Sequence, residues 1–282
     1  PAEQNTHQWF GAFFGYIMSF FGLGLMASFF LTPVIISSLS AIPAFFICRR
    51  LVGNVGGFFA ALVVNVHAVY ISRTPGGGTD TDMYNVFLPL MIMWIFIESL
   101  ESDNLRNKLS LGALTGFLIA VYSYTWTGWW YIFDIILAGG VGFLIYHIIT
   151  HIKEQKVSLF SSPNFKNEVF SILMFIFSSL VFITLLSGFN EFLRPFVRGP
   201  LAGLNLKEVG ISKIWPNVLT TVAELGNISF ERVVDQMGGP LLLSLALLGI
   251  IYTLFRKNSE NPSKIPNWEV IVDLLFLLVS FG

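Results

Sequence analysis

The chain has 282 residues, of which 54% are hydrophobic and 12% charged, with 29 phenylalanines and a formal net charge of −1. Soluble domains carry about a quarter charged residues, and a large core cannot explain the deficit, because a globule must still cover its surface. The composition excludes a soluble domain and predicts a membrane protein. Cys48 is the only cysteine, which excludes an internal disulfide and any multi-thiolate metal site.

A helix needs roughly 20 apolar residues to cross about 30 Å of hydrocarbon. The first apolar stretch, 9–27, opens at Trp9, and its glycine spacing suits an interfacial or re-entrant helix as well as a span. Spans are then predicted at 28–48, 54–72, 83–100, 110–126, 129–150, 168–188 and 239–255, with 268–282 as a last one. The fold class read from this pattern is all-α, a polytopic transmembrane bundle of about eight or nine apolar helical segments. Residues 1–282 are read as one transmembrane domain, with 1–27 as an interfacial or first external region and 190–238 as a long external loop.

Basic residues orient the bundle. Arg49 and Arg50, Arg106 and Lys108, Lys153, Lys156 and Lys166, and Arg256, Lys257 and Lys264 fall in alternate connections, predicted to be cytoplasmic. The opposite side carries 73–82, 126–129 and 190–238. Arg194, Arg198, Lys207, Lys213 and Arg232 lie in that long loop, where the charge rule is weak. Arg73 breaks the pattern in a short external loop. It is either a tolerated cation or one kept for an anionic partner, which would be the neighbouring aspartates or an incoming phosphate.

The stretch Ser72-Arg73-Thr74-Pro75-Gly76-Gly77-Gly78-Thr79-Asp80-Thr81-Asp82-Met83 closes one span and opens the next. Proline and three glycines predict a tight connection in which backbone can approach a ligand closely. Asp80 and Asp82 fall at a helix start, where N-capping and the helix dipole already favour acids. Two carboxylates one residue apart can also converge on a hard divalent cation such as Mg²⁺ or Mn²⁺. Glu224, in Thr220-Thr221-Val222-Ala223-Glu224-Leu225, is the candidate third carboxylate on the same side. Glu191, Glu208, Glu231 and Asp235 share its loop, but each sits near Arg or Lys and reads as a solvated face.

Asp134, His67 and Asp273 lie in apolar spans, where ionisable groups are functional suspects. Asp134 is close enough to the external end to reach water, and His67 reads as a hydrogen-bonded packing residue. Glu98 and Glu101 fall at a cytoplasmic boundary and need no special role. Trp126, Trp129 and Trp130 read as an interfacial aromatic belt. Asn227-Ile228-Ser229 is a glycosylation sequon, and a glycan so near Glu224 would crowd the site.

Ser72-Arg73-Thr74 with the glycines and Asp80-Thr81-Asp82-Met83-Tyr84-Asn85-Val86 resembles the second acidic motif of oligosaccharyltransferase catalytic subunits. Thr221-Val222-Ala223-Glu224 looks like the T-I-x-E motif of the same family, with Val for Ile. Pro33, Ala41-Ile42-Pro43-Ala44, Arg49-Arg50-Leu51 and Gly56-Gly57-Phe58-Phe59-Ala60-Ala61 fit the family's early spans. The Asp-Thr-Asp form is closer to the single-subunit prokaryotic, archaeal-type enzymes. The chain opens on Pro and stops inside an apolar run, so a piece of a longer protein is expected. The family's first acidic motif would fall upstream of residue 1 and its W-W-D-x-G domain beyond residue 282.

The resemblance implies a GT-C-like membrane fold and transfer of a glycan from a polyprenyl phosphate or pyrophosphate carrier to Asn of an Asn-x-Ser/Thr segment. It implies Asp80 as a metal ligand, Asp82 as a ligand or its close partner, and Glu224 facing the acceptor Asn, with Arg73 as a phosphate or carboxylate clamp. Partners implied are a lipid-linked oligosaccharide, an acceptor polypeptide and membrane lipid, with no nucleic acid. The implied cofactor is Mn²⁺ or Mg²⁺, and the implied site is extracytoplasmic in a multi-pass cell-membrane protein. Two other readings compete. Another polyprenyl-phosphate-dependent glycosyltransferase would keep the Asp pair without needing T-V-A-E. A transporter would predict polar residues at mid-depth in several spans and internal repeats, neither of which is evident.

Overall fold

The computed structural model describes residues 3–78, 80–153, 163–197 and 229–255, and these form helices and turns with no strand among them. The chain divides into two units, Pro1–Phe192 and Leu193–Gly282. In the first, α1 (Glu3–Ser19), α2 (Leu25–Leu39), α3 (Ala41–Val66) and α4 (Ala68–Arg73) precede α5 (Asp82–Glu101). Then come α6 (Leu105–Thr125), α7 (Trp130–Lys153), α8 (Pro163–Leu186) and the short α9 (Phe189–Phe192). The second unit contains α10 (Arg194–Val197), α11 (Phe230–Gln236) and α12 (Gly239–Phe255).

Among the described residues, four helical segments are long and apolar enough to cross a membrane: Leu25–Arg50, Asp82–Glu101, Trp130–Ile149 and Phe165–Leu186. Val52–Val66 and Gly239–Gly249 are shorter apolar helices. The expected span at 268–282 lies outside the described residues. The all-helical class read from the sequence therefore stands, with boundaries shifted by a few residues.

The expected pair 28–48 and 54–72 folds as a hairpin. Gly53 turns the chain at φ 78° and ψ −171°, three residues after Arg50. Beyond it, Asn65 Nδ2 donates to the Ser38 carbonyl at 3.3 Å, and a Cβ on Gly57 would lie 2.7 Å from the Phe45 carbonyl oxygen. The second arm thus runs back along the first at close range. It ends early, at His67, whose extended backbone (φ −63°, ψ 119°) separates α3 from α4.

The predicted span 110–126 becomes α6, which begins at Leu105 with the Asn104 side chain accepting the Arg106 N–H at 2.9 Å. This helix is rich in small and hydroxyl residues, yet it packs against both α5 and α8. Gly112, Thr115, Gly116, Ile119, Ala120, Tyr122, Ser123 and Thr125 are all buried on it. A Cβ on Gly116 would stand 2.6 Å from the Ser179 backbone nitrogen and 2.8 Å from the Phe175 carbonyl oxygen. Gly112-x-x-x-Gly116 therefore lets two helix backbones approach closely, as small residues do between membrane helices. The Ser178 hydroxyl donates across the contact to the Ala113 carbonyl at 2.6 Å.

Aromatic packing fills the rest of this core. Phe175 of α8 lies 5.6 Å from Phe96 of α5 and 5.3 Å from Phe133 of α7, and Phe133 meets Phe192 of α9. Trp129 is fully buried and packs on Phe133. The expected interfacial belt is therefore wrong for this residue: its ring fills protein core.

Where α5, α6, α7 and α8 meet at the C-terminal end of α5, polar groups are buried together. The Lys108 ammonium donates to the Leu100 carbonyl at 2.6 Å, and the Ser99 hydroxyl donates to the Lys108 carbonyl at 2.8 Å and pairs with Ser171. Glu168 Oε1 stands 3.7 Å from His147 Nε2 and interacts electrostatically with Lys108. Lys108 and Glu168 are 6% and 5% exposed, so the sequence reading of Lys108 as part of a connection between spans is corrected. It lies inside a helix, and its charge faces protein.

Candidate functional site

Arg73 ends α4 and Asp82 begins α5, so the segment between them is a short bridge between two helix ends. Thr74 opens it, buried, its hydroxyl donating to the Tyr70 carbonyl at 2.8 Å. The Gly78 N–H closes a turn on the Pro75 carbonyl at 3.0 Å, and the Gly77 N–H donates to the Phe30 carbonyl of α2 at 2.9 Å. Gly77 has φ +82°, and a Cβ on Gly76 would meet the Phe30 ring at 2.6 Å. The glycines were expected to leave room for a ligand. At Gly76 and Gly77 that room is taken by Phe30, so these two glycines dock the loop on α2.

The two carboxylates have different settings. Asp80 is exposed, and its Oδ1 accepts the Thr81 N–H at 2.7 Å. Asp82 is the first residue of α5, with its Oδ2 3.6 Å from Arg73 Nη1. Thr81 holds the N-cap position with no side-chain capping bond, so neither aspartate is the N-cap residue. Asp82 still gains from the positive end of the helix dipole. The Arg73 side chain is 55% exposed and that of Asp82 30%, so the pair faces solvent and contributes little to stability.

Behind the carboxylates, the first turn of α5 is buried. Met83 and Tyr84 are 1% and 0% exposed, and the Tyr84 ring packs at a tilt on Phe10 of α1, 5.3 Å between centroids. The buried Tyr70 hydroxyl lies 2.9 Å from Ser40 Oγ and 3.4 Å from the Met83 carbonyl. On the other flank, the Tyr122 hydroxyl is 3.4 Å from Asn85 Oδ1 and 3.5 Å from the Tyr131 hydroxyl. Trp126 packs on both tyrosines. Sequence reasoning missed this support. A hydroxyl inside an apolar span, as at Tyr70 three residues before Arg73, was the available signal.

The donor chemistry of Asp80 and Asp82 suits a hard cation such as Mg²⁺ or Mn²⁺. Their number does not complete a site by itself: among the described residues no group of three His, Cys, Asp or Glu side chains converges. Glu224 lies outside the described residues, as do Asn227 and Ile228 of the sequon and Asp273. Ser229 caps α11, its hydroxyl accepting the Arg232 N–H at 3.3 Å. His67 forms a helix break, and Asp134 sits half-buried near the start of α7.

Helices of this length and apolarity, with charged residues gathered at their ends, define an integral membrane protein. Its solvent-facing aspartates stand at one end of α5 and its buried polar cluster at the other. The chain belongs to the family described as oligosaccharyl transferase STT3, N-terminal, which it matches over residues 8–279. It is 32% identical over 258 residues to a dolichyl-phosphooligosaccharide-protein glycotransferase of Methanococcus voltae, covering 86% of this chain and 28% of that protein. A protein of the same name from Methanocaldococcus jannaschii is 26% identical, covering 84% and 33%. An undecaprenyl-diphosphooligosaccharide–protein glycotransferase of Campylobacter jejuni is 24% identical, covering 88% and 37%. The chain thus spans 28 to 37% of the length of these relatives.

Proposed function

We propose that this chain forms part of the catalytic membrane domain of an oligosaccharyltransferase. The protein would transfer a glycan from a polyprenyl (dolichyl) phosphate or pyrophosphate to the side-chain nitrogen of Asn in an Asn-x-Ser/Thr segment. The observation that carries the reading is the placement of Asp80 and Asp82, with Arg73 beside them, at the N-terminal end of α5 in a member of this family. The relatives' names give a lipid-linked donor and a protein acceptor for those proteins, and the same two partners are proposed here.

The chemistry explains why carboxylates are needed. An amide nitrogen is a poor nucleophile because its lone pair is delocalised into the carbonyl. Carboxylates that accept hydrogen bonds from the amide N–H groups weaken that conjugation and stabilise charge developing on nitrogen. In the proposal Glu224 faces the acceptor Asn. Asp80 and Asp82, with Glu224, supply oxygen ligands for a divalent cation, Mn²⁺ or Mg²⁺, which when bound stabilises charge on the departing phosphate. Arg73 holds Asp82 and the phosphate side of the site.

The site is proposed to be extracytoplasmic in a multi-pass protein. Arg50 pairs with Glu98 and Glu101, and Lys108 with Leu100, all at the C-terminal end of α5. Arg73 meets Asp82 at the other end, about 30 Å away along a helix rising 1.5 Å per residue. The cations assigned to the cytoplasm by the charge rule thus gather opposite the acidic loop, which supports this orientation.

The test is transfer of glycan from a lipid-linked donor to a sequon peptide by the complete protein in detergent or proteoliposomes. Asp80→Ala and Glu224→Ala should each abolish transfer, and chelation should do the same reversibly. Retained turnover in either variant removes that residue from the site.

A further inference from the structure

The carboxylates stand on a loop and a helix start that must keep fixed places, and the Arg73–Asp82 pair itself faces solvent. Rigidity has to come from underneath. The loop is tied to α2 by the Gly77 N–H on the Phe30 carbonyl, and to the end of α4 by Thr74 on the Tyr70 carbonyl. Tyr70 is the residue that reaches the other side of the bridge: its backbone holds Thr74, while its hydroxyl reaches Met83, next to Asp82.

The hydrogen bonds at that hydroxyl have one consistent direction. A carbonyl only accepts, so Tyr70 donates to Met83, and Ser40 then donates to Tyr70. Ser40 is fully buried at the junction of α2 and α3, and Tyr70 is 8% exposed. Water is therefore poorly placed to substitute for either partner, and a chain of buried hydroxyls restricts the tyrosine to one rotamer. The relay Ser40–Tyr70–Met83 joins three segments of the chain at the base of the acidic loop.

We propose that Tyr70 is a positioning residue for the acidic site: anchored by Ser40, its hydroxyl holds the first turn of α5 and so sets where Asp82 stands relative to Arg73. The inference rests on the functional reading above, because it assigns Tyr70 a task only if Asp82 works in the reaction. Small misplacements of reacting groups slow a reaction far more than they weaken substrate binding. A lost hydroxyl at Tyr70 should therefore act on kcat.

The experiment compares Tyr70→Phe, Ser40→Ala and Asp82→Ala in the complete protein, by steady-state transfer to a sequon peptide and by hydrogen–deuterium exchange. Tyr70→Phe should lower kcat about tenfold with the peptide KM changed less than about twofold. Ser40→Ala, which keeps the tyrosine, should give a smaller loss in the same direction. Amides of residues 76–85 should exchange faster in Tyr70→Phe while those of α6 and α8 stay as in the parent. A general loosening of the fold would accelerate all of them and would overturn the proposal, as would parental kcat in Tyr70→Phe. If Asp82→Ala also turns over normally, the functional reading itself has failed. If only Tyr70→Phe does, the positioning role alone has failed.

Discussion

The two ends of α5 use charge in opposite ways. At the C-terminal end, Lys108 and Glu168 are buried; Lys108, Ser99, Ser171 and the Leu100 carbonyl satisfy one another inside the protein, while Glu168 Oε2 has no hydrogen-bond partner among the described residues. At the N-terminal end, Asp80 is exposed, and Asp82 stands 3.6 Å from a half-exposed arginine. Polar groups satisfied internally hold helices together, and removing one partner strands the other in a medium that cannot solvate it. Polar groups left facing outward stabilise little and remain able to bind something else. One helix thus has a buried polar end and a solvent-facing acidic end.

Substitutions at the two ends should separate accordingly. The largest effect on stability is expected for Lys108→Ala, which strands the buried Leu100 carbonyl and removes the attraction to Glu168; it should cost roughly 2–3 kcal/mol, read as a lower unfolding temperature in detergent. Gly116→Val comes next: its added methyls meet the α8 backbone, and overpacking of this kind costs about 1–3 kcal/mol. The same unfolding measurement should show it, together with weakened α6–α8 association. At the acidic end, Arg73→Gln should change stability by less than about 1 kcal/mol, because the pair is exposed. Transfer activity should nonetheless fall several-fold. Arg50→Ala should be mildest in activity, since its partners Glu98 and Glu101 are themselves partly exposed. A stability loss at Arg73 as large as that at Lys108 would dissolve the distinction.

The helices were legible because the bilayer imposes one rule on every span, and hydropathy reads that rule directly. Even the connection at 49–53 could be placed, since a basic pair between two apolar runs marks where one span ends and the next begins. Lys108 was not legible. It sits beside Arg106 in sequence, and only the fold brings Glu168 and Leu100 around it. Nor was Trp129, whose burial depends on Phe133. At the site, Asp80, Asp82 and Arg73 declared themselves by being charges in an apolar chain. The purpose of Gly76 and Gly77 did not, because their partner, Phe30, lies some 45 positions earlier in the chain. Ser40 was silent for the same reason; the Tyr70 hydroxyl stood out as a polar group in an apolar helix, but its partners could not be read until the helices met.

The central claim is that the acidic end of α5 does chemistry and does not hold the fold. Asp82→Asn tests it most directly, since it keeps the shape and removes the charge. The measurement is the rate of glycan transfer per folded molecule, with the unfolding temperature recorded on the same sample. A rate reduced more than about 100-fold at an unchanged unfolding temperature is the predicted result. A rate near that of the parent, or a loss of activity that merely tracks a loss of folded protein, would contradict it.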